Sequence, residues 1–158
     1  GYVGSGSEGP VDFANARNEG MEGGRSSAIR FSAHGKGPWR GFFESDTRGS
    51  GTHITGRSAM SFYIRGDVSQ DVKVHLVDHQ RVGHDVFDAP HYSRGVGLIS
   101  GGHLKQITSQ WQKVTVPVDK LLPPGTFFLR HYAAGIGLSG DDDARPGTYY
   151  IDRVVLLP

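Results

Sequence analysis

The sequence predicts an all-β domain, a β-sandwich or barrel of antiparallel strands, and three observations carry that prediction. Glycine and proline are abundant, with 24 Gly and 8 Pro among 158 residues. Apolar and polar residues alternate with a period of two in short segments, which is typical of strands that bury one face. Turn-forming residues separate these segments, and no long run has the periodicity of an amphipathic helix. A chain of this length suits one domain and is short for two.

Seven segments carry the alternation. In chain order they are residues 28–33, 39–45, 58–67, 71–79, 110–119, 125–134 and 148–158. In the first segment Ile29 and Phe31 alternate with polar neighbours, and in the third Phe62 and Ile64 share the predicted buried face. The second segment follows a Gly-Lys-Gly-Pro turn, and its pattern leaves open whether Trp39 faces the core or the outside.

Segment DVKVHLVDH, residues 71–79, shows the clearest alternation in the chain. One predicted face carries Val72, Val74 and Leu76, and the other carries Lys73, His75, Val77 and His79. In segment 110–119 three valines share a face, and Pro117 indicates a strand end or a sheet edge. Segment 125–134 is expected to point Phe127 and Leu129 inward and Phe128, Arg130 and Tyr132 outward. Strands with one buried and one solvated face assemble into antiparallel sheets.

The remaining composition restricts the class of protein. Residues 1–10 are small and polar, so we expect a flexible linker or a cloning remnant before one domain at 11–158; a mature secreted protein has such an end. The net charge of +1 lacks the basic excess of nucleic-acid-binding proteins. No apolar run approaches the roughly 20 residues that cross a bilayer. The chain has no Cys, which excludes disulfides and thiolate metal sites.

Four segments in this order, SFYIRGD, VKVHLVD, WQKVTVPVDKL and YYIDRVVLL, resemble the jelly-roll carbohydrate-binding modules of polysaccharide-degrading enzymes, broadly families four, eleven and thirty. The resemblance covers residues 12–158. It implies a jelly-roll β-sandwich of two antiparallel sheets with no catalytic residues. It also implies a secreted module that binds a polysaccharide chain along a concave sheet and targets a covalently attached catalytic domain to its substrate.

The resemblance further implies which segments line the groove. One sheet would contain SFYIRGD, WQKVTVPV and YYIDRVVLL, and the other, concave sheet would contain WRGFFES, VKVHLVDH, the segment near His91 and FFLRHYAA. Aromatic rings stack on the C–H faces of sugars, and charged side chains hydrogen-bond to sugar hydroxyls. The ligand-binding residues expected on this sheet are Trp39, Arg40, Lys73, His75, His79, His91, Tyr92, Arg130 and Tyr132. The basic, His-rich character favours an acidic or sulfated polysaccharide slightly over a neutral β-glucan.

A structural Ca²⁺ away from the groove is the cofactor that the resemblance implies. Asp152 in YYIDRV matches the family position, and its partners are expected among Asp12, Asn18, Glu19 and Glu22, because Ca²⁺ prefers oxygen ligands. A zinc site is not expected, since His75 and His79 are separated by about 13 Å along an extended strand.

Two other functions remain as alternatives. A small jelly-roll polysaccharide lyase would use a base and a cationic neutraliser, which His79, Arg94, Arg130, His131 and Tyr132 would supply. A structural domain of an extracellular adhesin or filament would use the same fold. A glycosidase is disfavoured because it needs two carboxyl groups about 5–10 Å apart, and the expected groove offers only Glu44.

Overall fold

The computed structural model describes residues 2–23, 26–45, 52–53, 56–77, 93–122, 132–133 and 135–158. Its strands are β1 Tyr2–Glu8, β2 Val11–Ala16, β3 Ala28–Ala33, β4 Trp39–Ser45, β5 Thr52–His53, β6 Ala59–Gly66, β7 Lys73–Val77, β8 Val96–Gly97, β9 Gln112–Pro117, β10 Tyr132–Ala133, β11 Gly135–Gly140 and β12 Gly147–Leu157. One short helix, α1, covers Val118–Leu121. Within these residues, no helix is long and apolar enough to cross a membrane.

Ten of these strands form two antiparallel five-stranded sheets, so the predicted fold class, a jelly-roll β-sandwich, is confirmed. We call the sheet with strand order β1-β4-β11-β7-β8 the front sheet, and the sheet with order β2-β3-β12-β6-β9 the back sheet. The expected partition holds for β6, β9 and β12, which share the back sheet, and for β4 and β7, which share the front sheet.

The core lies between the two sheets and follows the predicted alternation. Phe62 and Ile64 of β6 are fully buried, and so are Val74 and Leu76 of β7. Tyr149 of β12 is also completely buried, which places its ring among the apolar side chains of both sheets. Removing these large side chains from water stabilises the sandwich by about 1.5–3 kcal/mol each.

The beginning of the chain differs from the prediction, because residues 2–8 form strand β1 instead of a linker. β1 pairs with β4 along its length, with Ser5 opposite Phe43 and Glu8 opposite Arg40. Glycine and serine have weak β-propensity, so this strand depends on its hydrogen-bonded partner and not on its own side chains.

The centre of the front sheet is formed by a strand that the sequence did not predict. This strand is β11, residues 135–140, which lies between β4 and β7, whereas segment 125–134 had been expected in this sheet. Of that segment the structure describes Tyr132 and Ala133, which pair with β5 in a separate two-stranded ribbon. β11 was not predicted because three of its six residues are glycines, which give little β-strand signal, although its Ile136 and Leu138 are both buried.

Candidate functional site

A row of side chains crosses the outer face of the front sheet. Glu8, Arg40, Ser139 and Lys73 are consecutive register partners on β1, β4, β11 and β7, and Gly97 of β8 continues the row. At about 4.8 Å between strands, the five positions cover roughly 19 Å. A groove of about 680 Å³ lies along this row and is also lined by Gly9, Pro38, Trp39, His75, Arg94, Gly95, Gly140 and Asp141.

Arg40 and Lys73, the two cations of the row, are each paired with a carboxylate. Arg40 Nε donates to Glu8 Oε2 at 2.8 Å. Lys73 Nζ lies 3.0 Å from Asp141 Oδ2, on the turn that follows β11. The exposed Arg94 guanidinium has no ion-pair partner within the described part of the chain. The groove therefore offers hydrogen-bond donors and acceptors side by side, with the charges of Arg40 and Lys73 compensated and that of Arg94 uncompensated by the described residues.

His75 is the one buried imidazole of the described groove, with 7 % of its surface exposed. Its Nδ1 lies 2.8 Å from the carbonyl oxygen of Ser93, and its Nε2 lies 2.8 Å from Ser139 Oγ. Burial lowers the pKa of His75 to about 4, and the charges of Lys73 and Arg40 act in the same direction. The ring is therefore neutral at pH 7.

The chain around Ser93 is built to cover this imidazole. Ser93 N–H donates to the Leu76 carbonyl at 2.9 Å, and Leu76 N–H donates to Ser93 Oγ at 2.7 Å. A Cβ at Gly95 would stand 2.6 Å from Cε1 of His75, so only glycine lets the chain pass this close to the ring. These contacts fix His75 at the base of the groove.

Trp39 belongs to the core, which resolves the alternative that its sequence pattern left open. Its surface is 3 % exposed, and it packs in the same apolar cluster as Phe31 and Leu138. Gly41, two residues on, faces the rings of Phe13 and Phe31 on the back sheet, which confirms the inward direction of this face. The expected stacking role of Trp39 is wrong for this reason, although the residue borders the groove.

The other expected ligand-binding residues divide into three groups. Arg40, Lys73 and His75 are brought together in the groove as expected. His79, His91, Tyr92 and Arg130 lie outside the described residues. Tyr132 lies in β10, in register with His53 and outside the ladder of the front sheet. Aromatic stacking by Tyr92 and Tyr132 stays a prediction.

The four expected calcium ligands contact basic side chains or backbone amides. Glu19 Oε2 lies 2.6 Å from Arg65, Glu22 Oε1 lies 3.1 Å from Arg153, and Asp12 lies 3.4 Å from His34. Asp152 accepts Met21 N–H at 2.9 Å and Arg153 N–H at 2.7 Å. No cluster of three or more metal-ligating side chains occurs in the described ranges. Each of the four carboxylates thus has a basic side chain or a backbone amide as its partner, and they form no cluster in this part of the chain. The expected Ca²⁺ stays a prediction that their geometry does not support.

Several groove residues were missed from the sequence. Glu8 fell in the predicted linker, while Ser139 and Asp141 fell between the predicted strand segments 125–134 and 148–158. The signal that would have found Ser139 is the alternation of Ile136 and Leu138 with smaller residues, which marks a strand with Ser139 on its outer face.

No protein-family model and no curated protein sequence matches the chain. Solved structures do match in fold. A family 30 carbohydrate-binding module superposes with a TM-score of 0.67 at 18% identity, covering 97% of this chain and 80% of that one. A family 11 module from Clostridium thermocellum, in complex with a β-1,3-1,4-mixed-linked tetrasaccharide, gives 0.63 at 12% identity, covering 98% and 87%. A β-1,2-glucanase from Parabacteroides distasonis gives 0.63 at 15% identity, covering 98% of this chain and 22% of that one. At these identities the likeness establishes the fold alone.

Proposed function

We propose that the chain is a non-catalytic carbohydrate-binding module that holds a polysaccharide across the outer face of its front sheet. The observation that carries this proposal is the in-register row of Glu8, Arg40, Ser139 and Lys73 beside an open groove. A sugar chain presents hydroxyls at short intervals, and hydrogen bonds to charged side chains are the stronger kind. The fold that the chain shares with carbohydrate-binding modules supports the same conclusion.

The ligand that we propose is a neutral, hydroxyl-rich glycan such as a β-glucan. The sequence favoured an acidic polysaccharide, but Glu8 and Asp141 compensate the charges of Arg40 and Lys73. An anionic sugar would have to displace or approach these carboxylates, and like charges repel each other at short distance. A neutral hydroxyl accepts from the cation and donates to the carboxylate without disturbing either pair.

Two features of the proposal concern the protein's context. As in enzymes that carry such modules, the domain would keep an attached catalytic domain near its polysaccharide, because linked binding raises the local concentration of substrate. Secretion follows from the same role, since insoluble and gel-forming polysaccharides lie outside the cell. Both stand as proposals on the likeness of fold and on the groove.

Titration calorimetry with a panel of soluble polysaccharides tests the function. We expect binding to mixed-linked β-glucan with an affinity that changes little between low and high salt, since screening acts mainly on net charge contacts. Lys73→Ala and Arg40→Ala should each weaken binding about tenfold, which corresponds to one lost charge-assisted hydrogen bond. The control is Lys113→Ala, an exposed lysine of β9 on the back sheet.

Three outcomes of the calorimetry would each refute a different part of the proposal. Binding of an acidic polysaccharide alone, with steep salt dependence, would refute the neutral ligand. Failure of every polysaccharide to bind would refute the function. Equal effects of Lys73→Ala and Lys113→Ala would show that the groove is not the binding surface.

A further inference from the structure

A chain of hydrogen bonds runs from the buried backbone to the middle of the groove, and its direction is fixed. The Ser93 carbonyl can only accept, so the proton of the neutral His75 ring must lie on Nδ1. Nε2 then has only a lone pair to offer. The 2.8 Å contact between Nε2 and Ser139 Oγ is therefore a hydrogen bond in which the serine hydroxyl donates.

This direction determines what Ser139 presents to a ligand. Its proton is committed to His75, so the oxygen offers lone pairs and acts as an acceptor. Arg40 and Lys73, its register partners on the two neighbouring strands, carry donors only. The middle of the row thus has a donor, an acceptor and a donor on three adjacent strands.

We propose that the centre of the groove is a subsite for a free glycan hydroxyl, which donates to Ser139 Oγ and accepts from Arg40 or Lys73. His75 is the positioning residue that sets this polarity, and it does so without touching the ligand. The inference rests on the proposed function and adds to it a chemical requirement. A group that cannot donate, such as a methyl ether, a carboxylate or a sulfate ester, is excluded from this position.

We call the hydrogen-bonded series from the Ser93 carbonyl through His75 to Ser139 Oγ the relay. Because the relay is rigid, it can make the subsite specific for a ligand group that donates a hydrogen bond. His75 cannot turn away, because Gly95 passes close to its ring and Ser93 holds Nδ1. A hydroxyl on a mobile side chain would rotate its proton to suit either a donor or an acceptor. A site whose polar groups are held in one orientation rejects a ligand that leaves them unpaired far more strongly than a flexible site does.

The charged groups around His75 act on the relay together. Those facing the imidazole are Lys73 on its own strand, Arg40 on β4, Asp141 after β11 and, beside Ser93, Arg94. A second proton on the ring would make Nε2 a donor and force the Ser139 proton towards the ligand. The subsite would then present donors alone, so a lower preference for free hydroxyls is expected as the pH is lowered towards 4.

The test compares native mixed-linked β-glucan with the same polymer after partial O-methylation, by calorimetry at pH 7. The wild-type protein should lose about tenfold or more in affinity on methylation, the factor that one unpaired hydrogen bond costs. Ser139→Ala should bind both polymers with similar, reduced affinity, so that its discrimination disappears. Ser139→Thr keeps a hydroxyl and should restore part of it. Lys113→Ala is the matched surface control and should discriminate as the wild type does.

A spectroscopic readout tests the relay without any ligand. Long-range ¹H–¹⁵N NMR of the wild-type protein at pH 7 should show His75 protonated at Nδ1 and unprotonated at Nε2. The opposite tautomer would overturn the inference. Equal binding of native and methylated glucan by the wild type would also overturn it while leaving the proposed function intact. If no polysaccharide binds, the proposed function fails and the subsite fails with it. Should Ser139→Ala not fold, the wild-type comparison and the NMR experiment still decide.

Discussion

Gln70 holds the turn that carries Asp141, and its removal should loosen both the fold and the groove. The side-chain Nε2 of Gln70 donates to the Arg145 carbonyl at 2.8 Å and to the Tyr149 hydroxyl at 2.6 Å. Its Oε1 accepts from Arg145 N–H at 2.9 Å. The Gln70 side chain thus bonds to both the carbonyl and the N–H of Arg145, at the end of the turn formed by residues 141–145.

The expected cost of Gln70→Ala follows from these bonds. Each net hydrogen bond contributes about 0.5–1.5 kcal/mol, and three are lost. The Tyr149 hydroxyl, which belongs to a fully buried residue, also loses this partner. We therefore expect the free energy of unfolding to fall by about 2–4 kcal/mol. Glycan affinity should fall as well, because Asp141 would no longer be held beside Lys73.

Urea denaturation followed by tryptophan fluorescence measures this change. Gln70→Met keeps most of the side-chain volume and removes the amide, so it should lose nearly as much stability as the alanine variant. Gln106→Ala removes an exposed glutamine and should stay within about 0.5 kcal/mol of the wild type. If Gln70→Ala and Gln106→Ala proved equally mild, the reasoning about the turn would be refuted.

Three further predictions concern other parts of the molecule. Because burial lowers the pKa of His75 to about 4, the unfolded chain gains this proton first as the pH falls, and stability should decrease by up to about 3 kcal/mol between pH 6.5 and 4. A stability difference between the wild type and His75→Gln that does not vary with pH would contradict this. The Arg65 guanidinium lies 4.0 Å from the Tyr150 ring centroid and 5.0 Å from that of Trp111, so Arg65→Ala should cost about 1–2 kcal/mol in thermal unfolding without weakening glycan binding. Because the expected calcium ligands form no cluster in the described residues, dialysis against EDTA should leave the melting temperature unchanged, whereas a drop of several degrees would support the calcium prediction.

The strands that could be predicted from the sequence are those in which apolar and polar residues alternate. Strand β7 could be predicted because the apolar residues Val72, Val74 and Leu76 occur at every second position and indicate which face of the strand is buried. β1 and β11 could not be found this way, since their glycines carry little local signal and their pairing partners are distant in sequence. Long-range pairing to β4 gives both strands their place.

The part of the candidate site that lies on a regularly alternating strand could also be predicted. Lys73 and His75 were expected on the outer face of a regular strand, and the structure brings them into one groove. The orientation of Trp39 was not predictable, because aromatic residues stand on both sides of its alternation. It is decided by the close approach of Gly41 to the back sheet. The relay could not be inferred either, since it joins Ser139 to His75 across 64 positions of sequence.

The most direct test of the account is a ¹H–¹⁵N NMR titration of the protein with a mixed-linked β-glucan oligosaccharide. If the glycan lies across the front sheet, the amide signals of Arg40, Lys73 and Ser139 shift together with increasing ligand. Signals of Tyr63 and Lys113 on the outer face of the back sheet stay in place. Shifts confined to the back sheet, with the groove row unchanged, would contradict the central claim.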